Sequence, residues 1–146
     1  MSRVQVALNV SNVDEAVAFY SKLFNTQPAK RRPGYANFAI ADPPLKLVLL
    51  EGVGEPGSLN HIGVEMGSTG EVVTEAARLK DHGFDLRHED NVTCCYAVQD
   101  KFWITGADSR EWEIYTVLAD APASVQSPAS QATESAPSCC GPATSA

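Results

Sequence analysis

The sequence lacks a long apolar run, an excess of basic residues and the cysteine spacing of a disulfide framework. No stretch approaches the roughly 20 consecutive apolar residues that cross a bilayer, and the first residues lack the apolar core of a signal peptide. Eleven Lys and Arg stand against 18 Asp and Glu, and the formal charge of −7 argues against nucleic acid or an anionic membrane as a partner. We therefore expect a cytoplasmic protein, in a compartment where thiols stay reduced.

The four cysteines occur as two adjacent pairs, Cys94-Cys95 and Cys139-Cys140. Neighbouring cysteines are poorly placed to bridge each other, because disulfide geometry strains the peptide between them. Two adjacent thiolates suit one soft centre such as copper(I), zinc, cadmium or trivalent arsenic. The alternative is that Cys94 and Cys95 are two small buried hydrophobic side chains, which is how free cysteine usually behaves. The pair alone leaves both interpretations open.

The first 120 residues contain a repeat. The segment 5–10, Gln-Val-Ala-Leu-Asn-Val, matches 61–66, His-Ile-Gly-Val-Glu-Met, apolar on apolar and polar on polar. Each copy is followed by an amphipathic helix pattern and then by strand patterns. The helices are predicted at 13–25, capped by Ser11-Asn12, and around 72–79, ending at Gly83. Pro33-Gly34 is predicted to break the chain, and the later strands are predicted at 35–40, 45–50, 96–104 and 111–117. The sequence thus predicts an α+β domain over 1–120, built from two modules at 1–52 and 58–120, each with a strand, a helix and at least two more strands.

The composition changes after residue 120. Residues 121–146 are mostly Ala, Ser, Pro, Thr and Gln, with almost no charge or aromatic side chain, and such a segment buries too little apolar surface to order itself. We expect a flexible, disordered tail. Its Cys139-Cys140 pair is either a mobile metalloid-capturing arm or an accident of a drifting sequence.

Three polar residues occupy matching positions in the modules. Gln5 opens the first strand of module one, His61 takes the same position in module two, and Glu113 lies in the closing strand 111–117, where module one has Leu47. One nitrogen, one carboxylate and one amide oxygen form a facial set for a divalent first-row metal. Taken singly, His61 is as consistent with a hydrogen-bonded core residue and Glu113 with a solvated edge carboxylate.

Residues 3–118 resemble the vicinal oxygen chelate superfamily, which includes glyoxalase I, the fosfomycin and bleomycin resistance proteins and the extradiol dioxygenases. The resemblance lies in the duplicated module, the polar residue that opens each module and the Trp-Glu-Ile-Tyr ending. Further segments resemble the branch of non-haem iron carbon–arsenic lyases and cadmium-induced proteins. Those segments are 2–5, 18–24, 30–38, 59–61 and 93–96.

The resemblance implies two tandem βαβββ modules that form a curved mixed sheet around a metal-binding cavity. It also implies an iron(II)-dependent dioxygenase that uses dioxygen to cleave the carbon–arsenic bond of trivalent organoarsenicals. Gln5, His61 and Glu113 would bind Fe(II), with Ni, Co, Mn or Zn as alternative occupants, and Cys94 and Cys95 would hold the arsenic. Gln5 departs from the ring-cleaving dioxygenases, which usually have histidine there, so the metal set alone does not give the reaction. A monomer or a homodimer is expected.

Lys101 is the one further candidate for the site. Its positive charge would favour the thiolate form of a cysteine or stabilise an anionic oxygen intermediate. It is equally consistent with an exposed lysine in a hairpin that has no role in the site. His82 and His88 are predicted to be surface residues.

Two other functions stay open: a stress protein that binds cadmium or arsenite without turnover, and a glyoxalase-like isomerase or thiol transferase. Oxygen consumption separates the dioxygenase from both.

Overall fold

The computed structural model describes residues 2–94 and 97–120, without the side chains of 90–94 and 120. Cys95, Cys139, Cys140 and the predicted tail 121–146 lie outside the described residues. Neither helix of the described part is long and apolar enough to cross a bilayer. The elements are β1 (Arg3–Val10), α1 (Val13–Leu23), β2 (Lys30–Arg32), β3 (Tyr35–Ile40), β4 (Leu45–Glu51), β5 (Leu59–Glu65), α2 (Thr69–Asp81), β6 (Leu86–Cys94), β7 (Ala97–Thr105), a 3-10 turn (Ala107–Ser109) and β8 (Glu111–Asp120).

The order of these elements is βαβββ followed by βαβββ, so the predicted fold class is confirmed. The chain divides by its contacts into two compact units, Met1–Glu65 and Met66–Ala146. β5 opens the second module in sequence but belongs to the first unit, because it pairs antiparallel with β1.

The first unit contains five strands in the order β2-β3-β4-β1-β5. β1 runs parallel to β4, and the other neighbouring strands of this unit are antiparallel. α1 packs against β3 and β4. The hydrophobic core between the helix and these strands consists of Val13, Val17, Ala36, Phe38, Ile40, Leu47 and Leu49.

α1 begins where the sequence predicts it. The Asn12 side chain accepts a hydrogen bond of 2.9 Å from the backbone N–H of Glu15, which is an N-cap. Asp14 and Glu15 place negative charge in the first turn, where the helix dipole is positive. The helix ends at Leu23 rather than at residue 25, because Asn25 adopts a left-handed backbone with φ of 48°.

β1 buries its polar face more deeply than its apolar face. Gln5 and Asn9 are each 5% exposed and Ala7 is fully buried, whereas Val4 is 43% exposed. The remaining apolar residues of the strand are only partly buried against the hydrophobic core. Polar side chains at this depth need hydrogen-bond partners, so β1 is a strand whose polar face has a specific role.

β2, like the later β6, is a strand that the sequence analysis missed. Its three residues, Lys30–Arg32, are all charged, and strand patterns are recognised by β-branched and aromatic residues. The predicted chain break at Pro33-Gly34 is confirmed, and it forms the tight turn that folds β2 back onto β3. Proline followed by a glycine with φ of 69° matches a type II turn, which requires positive φ at its third position.

The second unit contains β8, β7 and β6 in that order, all antiparallel. α2 packs against β7 and β8 and buries Val72, Ala76 and Leu79. The predicted stop at Gly83 is confirmed: its φ is 87°, and the N–H of Phe84 donates to the carbonyl of Leu79 at 3.1 Å. This is the usual glycine termination of a helix.

A partly buried charge cluster joins the edge of β5 to β1 and β4. Arg3 Nη2 donates to Glu65 Oε1 at 3.0 Å, and Lys46 Nζ lies 3.4 Å from Glu65 Oε2. Burial alone raises the pKa of the Glu65 carboxyl, but the hydrogen bond from Arg3 and the two positive charges outweigh it and hold that pKa below its ordinary value. Burial lowers the pKa of the Lys46 ammonium, although the Glu65 charge opposes that shift.

Replacing Glu65 with glutamine tests this cluster. Because the folded pKa lies below the ordinary value of 4.5, the unfolded chain takes up the proton first, and the stabilisation is lost as the pH falls from that value through the folded pKa. We expect Glu65→Gln to be less stable than wild type at neutral pH and to lose less stability between about pH 5 and about pH 3. Urea unfolding at several pH values measures this. Glu55→Gln, at an exposed loop carboxylate, controls for charge, and parallel curves for wild type and Glu65→Gln would contradict the assignment.

Candidate metal centre

Gln5 and His61 are brought together in the first unit. They lie on the adjacent antiparallel strands β1 and β5, where Gln5 is opposite Gly63 and His61 opposite Ala7. Gln5 Nε2 is 3.1 Å from His61 Nε2. The two side chains are 5% and 4% exposed. An imidazole and an amide therefore meet at a buried point, as the repeat in the sequence predicts for two members of the metal set.

The other ring nitrogen of His61 is also held. Nδ1 lies 2.8 Å from Asn60 Oδ1, and Asn60 Nδ2 donates to Asn9 Oδ1 at 2.9 Å. With its amide nitrogen used there, Asn60 presents an oxygen to His61, so Nδ1 carries the proton and Nε2 carries a lone pair. This is the arrangement of most metal-binding histidines. A half-turn of the Gln5 amide exchanges its nitrogen for oxygen, which is a metal ligand. The residues fit a divalent metal.

Glu113 lies in β8 of the second unit and is 3% exposed. Lys101 Nζ, from β7, donates to Glu113 Oε1 at 3.1 Å. The same ammonium lies 3.7 Å from Glu89 Oε2 on β6. Lys101 is 1% exposed, so the interpretation of Lys101 as an exposed hairpin lysine is wrong. A buried carboxylate whose charge is stabilised by a buried ammonium is acceptor-only and suits a hard divalent cation.

Trp103 fixes the position of Lys101. The ammonium nitrogen is 5.5 Å from the centre of the Trp103 ring, and the guanidinium carbon of Arg87 is also 5.5 Å from it. Both distances fall within the range of cation–π attraction. Arg87 in turn pairs with Glu111 at 3.6 Å. Lys101 is therefore held by two carboxylates and an aromatic ring.

The cysteine pair is only partly described. Cys94 is the last residue of β6 and is opposite Ala97 at the end of the β6–β7 hairpin. Its side chain, Cys95 and Tyr96 lie outside the described residues, so the arsenic-binding prediction stays a prediction. His82 and His88 are exposed, as the sequence predicts.

Among the side chains that the structure describes, those of 2–89 and 97–119, no group of three or more His, Cys, Asp or Glu could hold a metal ion. The predicted set has two such residues and one amide, and it stays a prediction. Sequence reasoning missed Asn60, whose signal is its position directly before His61. It also missed Gln99, which is 7% exposed and whose Oε1 has no hydrogen-bond partner among the described residues. Gln99 and Lys101 are two residues apart on β7, so their side chains lie on the same face of the strand.

The family model described as Glyoxalase/Bleomycin resistance protein/Dioxygenase superfamily matches residues 3–114. The cadmium-induced protein CadI of Mycobacterium bovis is 62% identical over 120 residues, 82% of this chain and 79% of the relative. A trivalent organoarsenical cleaving enzyme of Thermomonospora curvata is 56% identical over 122 residues, 83% of this chain and 81% of the relative.

Among solved structures, a Mn(II)-bound glyoxalase from Novosphingobium aromaticivorans aligns with a TM-score of 0.56 and 19% identity, over 83% of this chain and 42% of that chain. At that identity the likeness shows the fold alone. The relatives and the family together support an enzyme that acts on a small molecule. With most of the folded part matched by the family model, the chain belongs to the glyoxalase/bleomycin resistance protein/dioxygenase superfamily.

Proposed function

We propose that the protein is an iron(II)-dependent dioxygenase that cleaves the carbon–arsenic bond of trivalent organoarsenicals and releases arsenite. The observation that carries the proposal is the buried His61, whose Nδ1 lies 2.8 Å from Asn60 Oδ1 and whose Nε2 lies 3.1 Å from the Gln5 amide nitrogen. A relative 56% identical to the chain is named for the cleavage of trivalent organoarsenicals. The substrate would be a small compound such as methylarsenite.

Gln5, His61 and Glu113 would hold the metal. The support for Gln5 and His61 is their contact inside the first unit. The support for Glu113 is its burial, its acceptor-only chemistry and its matching position in the sequence repeat. Iron(II) with open coordination positions supplies the means to activate dioxygen, the oxidant of the reaction. Three protein ligands leave such positions, which is typical of non-haem iron oxygenases.

The chain's own residues would bind and orient the arsenical. Cys94 and Cys95, as adjacent thiolates, would chelate the trivalent arsenic and convert the second attachment into an intramolecular one. The organic group on arsenic would then be directed towards the metal. Lys101 supplies a buried positive charge beside Glu113. This charge would stabilise negative charge that develops on oxygen during the reaction.

A second function is favoured by a different relative. CadI, at 62% identity, is named only for its induction by cadmium. A protein that used Cys94-Cys95 and the tail pair Cys139-Cys140 to sequester cadmium or arsenite would need neither dioxygen nor a redox metal.

Oxygen dependence separates the two functions. Iron-loaded full-length protein is incubated with methylarsenite in air and under argon, and arsenite is measured by chromatography with elemental detection. The dioxygenase proposal expects arsenite in air only, with matching oxygen consumption. Stoichiometric arsenical binding without arsenite release in air would instead support the sequestering protein.

Removing single metal ligands should give graded losses. We expect His61→Ala and Glu113→Ala to abolish stoichiometric iron(II) binding and turnover, because each deletes a strong ligand. Gln5→Ala should be milder, because a neutral amide oxygen is the weakest of the three donors. Elemental analysis after anaerobic loading gives the stoichiometry, and far-ultraviolet circular dichroism checks the fold.

His88→Ala is the matched control for this series, since His88 is exposed and lies outside the set. It should bind iron as the wild type does. Full iron occupancy in folded His61→Ala would overturn the metal assignment.

The cysteines should control arsenic affinity and not metal affinity. Cys94→Ser or Cys95→Ser leaves the arsenic attached through one sulfur instead of two. Because each 1.4 kcal/mol is about tenfold in affinity, losing a chelate advantage of a few kcal/mol should lower the affinity for the arsenical by about a hundredfold or more. Iron binding should persist. The titration uses a trivalent phenylarsenical with tryptophan fluorescence as the signal.

The control for this titration is the double variant Cys139→Ser/Cys140→Ser, which keeps the first pair. It should retain most of the affinity for the phenylarsenical if Cys94 and Cys95 form the chelate. Equal affinities in wild type, Cys94→Ser and Cys95→Ser would instead make the first pair ordinary packing residues.

A further inference from the structure

A row of hydrogen bonds runs from a surface loop to His61. Ser58 Oγ donates to the backbone carbonyl of Glu55 at 2.5 Å, and Asn9 Nδ2 donates to Ser58 Oγ at 2.9 Å. Asn60 Nδ2 donates to Asn9 Oδ1 at 2.9 Å, and Asn60 Oδ1 lies 2.8 Å from His61 Nδ1. Asn9 and Asn60 are 5% and 4% exposed. The row therefore starts half-buried at Ser58 and ends at a fully buried imidazole.

The direction of every hydrogen bond in this row follows from its first member. A backbone carbonyl only accepts, so Ser58 gives its one hydroxyl hydrogen to Glu55 and can then only accept from Asn9. Asn9 consequently points its amide nitrogen at Ser58 and its oxygen at Asn60. Asn60 must then donate to Asn9 and offer its own oxygen to His61. The proton on the imidazole is thereby confined to Nδ1.

We propose that Ser58, Asn9 and Asn60 form a relay of fixed polarity that holds His61 in its Nδ1–H tautomer and keeps the lone pair of Nε2 available to a metal. The three are positioning residues, because they act on the metal through His61. The relay rests on the proposed function only in assigning a metal to Nε2. Turning any one amide around would set two donors or two acceptors face to face in a buried row, which is costly.

The absence of a side chain at Gly54 leaves room for the Asn9 side chain in the relay. A Cβ atom built at Gly54 would lie 2.5 Å from Asn9 Nδ2 and 2.8 Å from Asn9 Cγ, closer than atoms can approach. The Asn9 side chain has little freedom to move away, because it is hydrogen-bonded at both ends. Its backbone is held too, with N–H donating to the Ser58 carbonyl at 2.9 Å and carbonyl accepting from Gly57 at 2.8 Å. A methyl group at position 54 would therefore break the relay without touching His61.

The tautomer of His61 can be read directly in the metal-free protein. The full-length chain, which has three histidines, is labelled with 15N-histidine, and two-bond 1H–15N correlations at neutral pH distinguish a protonated from a bare ring nitrogen. Wild-type His61 should show the proton on Nδ1. Asn60→Leu and Gly54→Ala should shift His61 towards the Nε2–H tautomer or a mixture of the two. The exposed His82 and His88 serve as internal references, and the His61→Ala spectrum assigns the signal.

Metal affinity gives the functional consequence. Loss of a residue that orients a metal-binding histidine typically weakens metal binding by about ten- to a hundredfold. We expect that loss for cobalt(II), measured by isothermal titration, in Asn60→Leu and Gly54→Ala. Asn60→Asp keeps an oxygen facing His61 Nδ1 and should retain the tautomer and most of the affinity. A residue that served only to fill space would not be rescued in this way.

Asn37→Leu is the matched control. Asn37 is also a buried asparagine of the first unit, 5% exposed, but it donates to the Tyr35 hydroxyl at 2.9 Å and lies outside the relay. It should leave the His61 tautomer and the cobalt(II) affinity unchanged. If Asn60→Leu fails to fold, Gly54→Ala carries the same test.

Two results would overturn the relay. One is a wild-type His61 with its proton on Nε2, and the other is an unchanged tautomer and affinity in both Asn60→Leu and Gly54→Ala. Failure of the proposed function looks different, because the tautomer is read without metal or arsenical. A protein with the Nδ1–H tautomer that depends on Asn60, but without arsenite release, would keep the relay and lose the proposed reaction.

Discussion

The need to give buried polar side chains hydrogen-bond partners governs the region of the first unit around β1 and β5. Gln5, Asn9, Asn60 and His61 are all 5% exposed or less, and a buried donor or acceptor without a partner costs about 1–3 kcal/mol. Here the buried side chains form hydrogen bonds with one another, one after the next, rather than with water at the surface. Positions that look independent in the sequence, such as residues 9 and 60, are therefore energetically coupled through their shared hydrogen bonds.

Patterns that depend on local geometry were predictable from the sequence. The cap at Asn12, the glycine stop at Gly83 and the turn at Pro33-Gly34 each have a short-range physical cause, and each is confirmed. The duplication of the module followed from a repeat of apolar and polar positions, whereas its βαβββ order followed from the family resemblance. The end of α1 was misjudged by two residues, since hydrophobic periodicity continues past the point where Asn25 turns left-handed.

Features that depend on distant partners were not predictable in the same way. Nothing in the alternation of β1 says that its polar face is the more deeply buried one, because burial is decided by what packs on each face. Lys101 reads as a hairpin lysine until Glu89, Glu113 and Trp103 surround it. The direction of the bonds between Asn9 and Asn60 depends on the carbonyl of Glu55, which no side-chain pattern reveals. Residue types could suggest the candidate site, but its internal order depends on three-dimensional contacts.

The pairing of Lys101 with Glu113 affects when the protein can fold in the cell. A buried carboxylate without a nearby positive charge costs folding free energy, because it loses its hydration, and many small metal proteins stay unfolded until their ion binds. Here a lysine of the same chain already provides the positive charge, 3.1 Å away. If the proposed metal site is correct, newly made chains would reach their folded form during iron shortage and bind the ion later. The cellular iron supply would then set the active fraction of a standing pool of protein, and not the size of that pool.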